Sequence, residues 1–188
     1  MKSKREASLL WVLDKTRTAM GARLLRTYVE QPLIEKSEII KRQKLIEALN
    51  ANEITRDEIR EYLNPIYDLE RLITRITYQS ANPRDLIAFR DSLKMLPPIK
   101  QQLSDIPCEL TDEINKEFDE LKDIYELLLS SIEDEPPISQ RDGDIIKAGY
   151  NEEVDRLRDA KTKGKTWLAE LEADEREKTG IKKLKNQV

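Results

Sequence analysis

Apolar residues recur every three or four positions along most of this chain, which is the spacing of one face of an α-helix. Each periodic run is polar on its other side, as in helices that bury a single stripe. Four apolar groups predict helices in the first half of the sequence: Leu9–Leu13, Met20–Tyr28, Ile39–Leu49 and Leu69–Ile76. The pattern therefore predicts a mainly α fold, a multi-helix bundle.

Residue types that start helices refine these boundaries. Thr55 and Glu58 have the spacing of a capping box, so the sequence predicts a helix that begins just after Thr55. Asn82 is followed by Pro83, which predicts an N-cap at Asn82 and a first helical residue at Pro83.

A pair of prolines marks the next predicted boundary. Pro97 and Pro98 should stop the preceding helix, because proline lacks a backbone N–H and clashes with the previous turn. A polar stretch then leads to Thr111, which is predicted to cap a single helix that reaches Leu128.

The helical spacing lapses near residues 137–147. Asp142 and Gly143 lie there between short apolar-containing runs, and Asp-Gly in that setting is typical of a hairpin turn. The sequence therefore predicts at most a small β-hairpin near 137–147, or else an extended loop.

A long final helix is predicted from Asn151, as N-cap, to Gly180, which would end it in the left-handed conformation. At about 1.5 Å per residue it would reach on the order of 40 Å. Its inner heptad positions are only partly apolar, since Lys161 and Gly164 occupy two of them. We therefore expect a helix that projects from the body as a lever.

Gly164 is unusual because glycine in a helix interior costs roughly 1 kcal/mol relative to alanine. Gly164-Lys165-Thr166 has the letters that end a phosphate-binding loop, but Asp159 stands where that loop requires glycine and no strand precedes it. We interpret Gly164 instead as a flex point or a place of close backbone approach.

Composition narrows the possible chemistry. The chain has 188 residues, no histidine and one cysteine, Cys108. The absence of histidine excludes serine-histidine triads and histidine-rich zinc sites, so no catalytic residue or metal site is predicted. A single thiol cannot form an internal disulfide, which favours a reducing, cytoplasmic location. No apolar run is long enough to span a membrane, so no membrane partner is expected.

The net charge is −4, so any attraction to nucleic acid would depend on local clusters. One such cluster follows the end of the long helix: Arg176, Lys178, Lys182, Lys183 and Lys185. These residues are candidates for proximity to a DNA backbone. The alternative is that basic residues collect there only because the negative end of the helix dipole favours them.

Four ordered blocks of the chain have a recognisable pattern: Ser8–Leu25, Tyr67–Leu72, Ser80–Leu86 and Arg176–Lys185. Together they resemble the core, or lever, domain of the MutS family of DNA mismatch repair proteins. The resemblance spans essentially the whole chain. It implies a core helical domain at 1–150, a lever helix at 151–180 and the truncated start of a clamp at 181–188.

In this family the core domain is understood to connect a DNA-gripping clamp to an ATPase. The resemblance thus implies a non-catalytic fragment that binds no cofactor itself, with ATP and Mg bound elsewhere in the full-length protein. The implied partners are the DNA backbone, the remainder of MutS, a homodimer partner and a MutL-like protein. The residues alone leave open an alternative, a free-standing helical scaffold or adaptor that binds protein partners through an apolar groove.

Overall fold

The computed structural model describes residues 8–180, except for the side chain of Lys165, and contains no strand within that range. Its α-helices are α1 (Leu9–Leu13), α2 (Ala19–Glu30), α3 (Lys36–Ala51), α4 (Glu53–Leu63), α5 (Leu69–Thr77), α6 (Pro83–Leu93), α7 (Leu96–Ser104), α8 (Glu109–Glu117), α9 (Lys122–Ser131) and α10 (Glu152–Thr179). The predicted mainly α, multi-helix fold is confirmed. The chain divides into two compact units, Met1–Ile145 and Ile146–Val188.

The start of α6 lies where the sequence places it. The Asn82 side chain accepts a hydrogen bond from the Asp85 N–H (2.9 Å), and the Asp85 carboxylate accepts one from the Asn82 N–H (3.0 Å). This reciprocal pair satisfies two backbone donors that have no partner within the helix. Pro83 occupies the first turn, so the predicted boundary is confirmed.

The predicted start after Thr55 is wrong, because α4 begins three residues earlier, at Glu53. Asn52 ends α3 by donating its backbone N–H to the Ala48 carbonyl (3.2 Å), and its side-chain amide donates to the same oxygen (2.9 Å). The chain re-enters a helix at once. A single residue therefore ends one helix and begins the next, and Thr55 lies within the first turn of α4.

The prolines also have a different role from the predicted one. Helix α6 ends at Leu93, and Pro97 and Pro98 lie in the first turn of α7, which begins at Leu96. The first turn of a helix has no intrahelical acceptor for its N–H groups, so proline costs little there. The prolines start a helix rather than stop one.

Thr111 does not cap a helix, because α8 begins at Glu109, after Cys108. Thr111 is fully buried, and its hydroxyl lies 2.8 Å from the Ile106 carbonyl oxygen and 2.6 Å from that of Cys108. The single predicted helix is also interrupted. Leu121 has a left-handed backbone with φ of 50° and separates α8 from α9.

The core of the first unit lies around α6, which contacts α5 and α9, while α7 contacts α4 and α8. Its buried apolar residues are Ile66, Leu72, Phe89, Leu93, Ile99, Ile106, Leu128 and Ile132. A buried serine joins two segments of this core. The Ser92 hydroxyl donates to the Ala88 carbonyl (2.7 Å) and accepts from the Tyr67 N–H (3.0 Å).

The segment predicted as a hairpin or loop is an extended loop with one 3-10 turn at Gln140–Asp142. Its ends meet where the Glu133 N–H donates to the Ile145 carbonyl (2.8 Å). An ion pair between Arg90 and Asp134 (2.6 Å) attaches the loop to α6. Burial disfavours the charge of Arg90, but hydrogen bonds to Asp134 and the adjacent carboxylate of Asp91 outweigh this effect and raise its pKa.

Candidate nucleic-acid interface on the final helix

Helix α10 begins with an N-cap that the sequence predicts. The Asn151 side chain accepts hydrogen bonds from two backbone N–H groups of the first turn, at 3.0 and 3.1 Å. Asp155 accepts a further bond from the Gly149 N–H (2.7 Å), and Arg158 donates to the Ile146 carbonyl (2.7 Å). These bonds attach the first turns of the helix to the segment that precedes it.

The helix ends as predicted at Gly180, whose φ of 69° is left-handed and whose N–H donates to the Arg176 carbonyl (2.9 Å). Glycine adopts this conformation without the steric penalty of a side chain. The 28 residues of α10 give it a length of about 42 Å at 1.5 Å per residue.

Gly164 lies near the middle of α10, within an exposed stretch. Apart from its chain neighbours and the backbone of its own helical turns, a Cβ atom added there would meet no described atom within 4 Å. A close approach of another described segment is therefore not the reason for glycine at this position, and the flex point remains the prediction. Because Gly164 and Lys165 lie inside a helix, they do not form the strand-to-helix loop that binds phosphates.

The described part of the basic cluster consists of Arg176 and Lys178 in the last turn of α10. Arg176 pairs with Glu172 (Nη2 to Oε2, 3.4 Å) and Lys178 with Glu175 (Nζ to Oε1, 3.6 Å). Both pairs lie within one helix and are at least partly exposed to water, so the attraction within each pair is weak.

Charge around these two cations is mixed, because residues 172–178 contain four carboxylates and two basic residues. The other candidates, Lys182, Lys183 and Lys185, lie outside the described residues. A basic surface at this end therefore depends on those three lysines, and DNA proximity remains a prediction.

Other kinds of site find little support in residues 8–180. No group of three or more acidic or cysteine side chains there is arranged to hold a metal ion. None of the helices in that range is both long and apolar enough to cross a membrane. Cys108 lies partly buried before the first turn of α8.

The sequence prediction missed a charged network in the first unit. Arg23 donates two hydrogen bonds of 2.7 Å to the Asp68 carboxylate and also bonds to Glu70. Asp68 accepts from the Arg71 N–H as N-cap of α5 and lies 3.2 Å from the Arg71 side chain. The hydrogen bonds from Arg23 hold the pKa of Asp68 below its ordinary value despite partial burial. Asp68 is recognisable as an N-cap, but one sequence cannot show its pairing with a residue 45 positions away.

The family model for MutS domain III matches residues 1–188. The chain belongs to the MutS domain III family. Among curated relatives, the DNA mismatch repair protein MutS of Lachnoclostridium phytofermentans is 61% identical over 181 residues, or 96% of this chain. The proteins of the same name from Caldanaerobacter subterraneus subsp. tengcongensis and Bacillus subtilis are 53% and 44% identical over the same share.

This MutS domain III chain spans about a fifth of the length of those relatives, 19% of the first and 21% of the other two. The resemblance stated from four sequence blocks is thereby confirmed.

Proposed function

We propose that this MutS domain III chain is a non-catalytic helical element of a DNA mismatch repair protein. In this proposal residues 1–150 form part of the core, α10 is the lever, and residues 181–188 begin the clamp. The lever would connect a DNA-gripping clamp to an ATPase elsewhere in the polypeptide. The observation that carries the proposal is α10 itself, a 28-residue helix with a hydrogen-bonded cap at each end and an exposed middle.

A capped helix transmits a displacement of one end to the other because its backbone hydrogen bonds resist bending. Gly164 is the expected weak point, since glycine leaves the backbone freer than any other residue. Its surroundings are open, so no packing contact with the described chain opposes a bend at this position. The proposed lever is therefore stiff in two segments with one point of flexure between them.

The far end of the lever would lie close to the DNA backbone. Arg176 and Lys178 would exchange their exposed carboxylate partners for phosphate oxygens, together with Lys182, Lys183 and Lys185. Contacts of this kind carry no base information, and they weaken as the salt concentration rises. Mismatch recognition would belong to another part of the protein.

The lever is tested by Gly164→Pro in the full-length protein, with Gly164→Ala as the matched control. Proline removes a backbone donor and breaks a helix interior at a cost of roughly 3 kcal/mol, whereas alanine favours the helix and finds open space. We expect Gly164→Pro to impair the stimulation of ATP hydrolysis by DNA while nucleotide binding is unchanged. Gly164→Ala should retain stimulation. Normal stimulation in the proline variant would contradict the lever role.

The DNA contact is tested by titrating a labelled duplex, with and without a mismatch, at low and moderate salt. This chain should bind both duplexes weakly and equally, and binding should fall as salt rises. Replacing Arg176 and Lys178 by glutamine should reduce the slope of the salt dependence by about one for each lost phosphate contact. Preference for the mismatched duplex would instead place recognition within this chain, and an unchanged slope would exclude the two residues.

A further inference from the structure

The break between α8 and α9 is not predicted by the residues around it. Residues 109–131 contain neither glycine nor proline, the two residues that most strongly disfavour a helix. Apolar residues also keep the spacing of one helical face through the break: Ile114, Phe118, Leu121, Tyr125 and Leu128. The local sequence therefore favours one continuous helix, so contacts made by side chains must stabilise the break.

Leu121 is strained by the break. Its φ of 50° and ψ of 42° are left-handed. In this conformation the Cβ atom of an L-amino acid lies too close to the following carbonyl oxygen, so glycine alone adopts it freely. Strain of this kind persists only where the surrounding structure holds it, and it is common in segments that switch between two conformations.

Side chains occupy the backbone groups that would join the two helices. In a continuous helix each carbonyl accepts a hydrogen bond from the N–H four residues later. The Phe118 carbonyl accepts instead from the Lys100 ammonium of α7 (Nζ to O, 2.7 Å). The Leu121 N–H donates to the Asp119 carboxylate (Oδ1, 2.9 Å) rather than to a backbone carbonyl. Side-chain bonds of this kind compete directly with helix formation.

Lys100 is the contact that comes from outside the interrupted segment. Its ammonium also lies 3.7 Å from Oε1 of Glu120 and 5.9 Å from the centre of the Phe118 ring. The lysine side chain is 31% exposed, and hydrogen bonds from a charged donor are stronger than those between neutral groups. Lys100 therefore stabilises the broken form through three groups of the segment.

The two halves of the segment pack on different helices. Helix α8 contacts α3 and α7, whereas α9 contacts α6. A continuous helix would place both halves on one axis, so at least one of them would shift against its neighbours. A change at the break would thus alter the packing of the first unit over several helices.

We propose that residues 109–131 form a two-state switch, in which Lys100 keeps α8 and α9 separate and its withdrawal lets them join into one helix. The broken form gains the charged hydrogen bond of Lys100. The joined form gains backbone hydrogen bonds and relieves the strain at Leu121. These opposing contributions are of comparable size, which is the condition for two accessible conformations. The switch does not depend on whether α10 acts as a lever.

The test is amide hydrogen exchange of this chain, resolved by NMR, in the variant Lys100→Met, which keeps the apolar stem and removes the ammonium. The N–H groups of Lys122, Asp123 and Ile124 open α9 and have no intrahelical acceptor. We expect them to exchange roughly tenfold more slowly in the variant, because they join a continuous helix. Lys94→Met is the matched control, since Lys94 is exposed and lies beyond the end of α6.

A second substitution distinguishes a switch from a loss of packing. Leu121→Gly removes the steric penalty of the left-handed conformation and weakens a helix. Added to Lys100→Met, it should restore fast exchange, whereas Leu121→Ala should leave exchange slow. Unchanged or faster exchange in Lys100→Met would overturn the proposal. So would slow exchange that Leu121→Gly does not reverse, or equal slowing in Lys94→Met.

The wild-type chain allows a measurement that does not depend on the folding of Lys100→Met. Relaxation dispersion detects a minor conformation that exchanges on the microsecond to millisecond scale. We expect dispersion at the amides of residues 118–124, and we expect Leu121→Gly to suppress it by favouring the broken form. Flat dispersion profiles across these amides in the wild type would contradict a second accessible conformation and overturn the proposal.

Discussion

Helices α2 and α6 belong to the same unit and have nearly the same length, but they are held in place by different interactions. Both begin with a side-chain cap, Thr18 for α2 and Asn82 for α6. Helix α6 has five buried residues, including Phe89 and Leu93, whereas α2 has none. The described polar contacts of α2 with later segments include the bonds of Arg23 to Asp68 and Glu70, and the stacking of Arg42 on Tyr28 (3.9 Å).

This difference shows that the interactions that start a helix are not the ones that hold it against the rest of the unit. Local capping and periodicity suffice to start both helices. Burial then makes α6 part of a cooperative core, while the apolar residues of α2 are only partly buried and the helix depends more on charged groups, whose contribution varies with salt and pH. Helix α2 therefore keeps large apolar side chains such as Leu24, which is 52% exposed, in contact with water.

The largest expected effect on the free energy of unfolding comes from replacing a large buried side chain in the core by a small one. Leu93 is 1% exposed, so Leu93→Ala should lower the free energy of unfolding by about 3 kcal/mol, through lost apolar burial and the cavity left behind. Leu24→Ala in α2 is the matched control, since Leu24 is 52% exposed and should change it by less than about 0.5 kcal/mol. Urea unfolding followed by circular dichroism measures both. Similar losses would show that α2 is as well packed as α6.

A smaller effect is expected at Asp68, which caps α5 and accepts two hydrogen bonds from Arg23. Asp68→Ala removes the cap and the ion pair and should cost about 1 kcal/mol. Asp68→Asn keeps a capping side chain and removes only the charge, so it should cost less. The same urea experiment separates the two contributions. Equal losses in both variants would mean that the cap adds nothing.

The Asp68 carboxylate also predicts a dependence on pH. Its pKa is lower in the folded chain than the ordinary value of about 3.9, so the folded state favours the ionised form. This stabilisation is fully present above the ordinary pKa and is lost as the pH falls through the lower, folded pKa. The difference in unfolding free energy between the wild type and Asp68→Asn should therefore be constant near neutral pH and shrink below about pH 4. A difference that does not shrink at all as the pH falls below 4 would show that the charge is not its source.

The sequence predicted those features of the fold that depend on neighbouring residues. Asn82, Asn151 and Gly180 each act through backbone groups within a few positions, and all three were located correctly. Pro97 was misassigned because proline is compatible with both the stop and the first turn of a helix. Thr111 was misassigned because threonine can either cap a helix or donate its hydroxyl to a buried carbonyl, and the residue type does not distinguish the two roles.

The candidate sites, too, could be predicted where they depend on neighbouring residues and could not where they depend on residues far apart in the sequence. The end of α10 could be located because a run of basic residues and a glycine lie close together in the sequence. The pairing of Arg23 with Asp68 could not, since it joins residues 45 positions apart in the chain. A single sequence contains no information on which distant charges meet.

The smallest expected effect tests the comparison of the two helices directly, by hydrogen exchange at two salt concentrations. Raising the ionic strength from 0.1 to 1 M shortens the range of electrostatic interactions from about 10 to 3 Å. The Arg23 side chain is 41% exposed, so screening should weaken its bonds to Asp68 and Glu70 and speed exchange in α2 roughly two- to threefold. Exchange in α6 should not change, because apolar burial holds it. Equal acceleration in both helices would mean that α2 opens only when the whole unit unfolds.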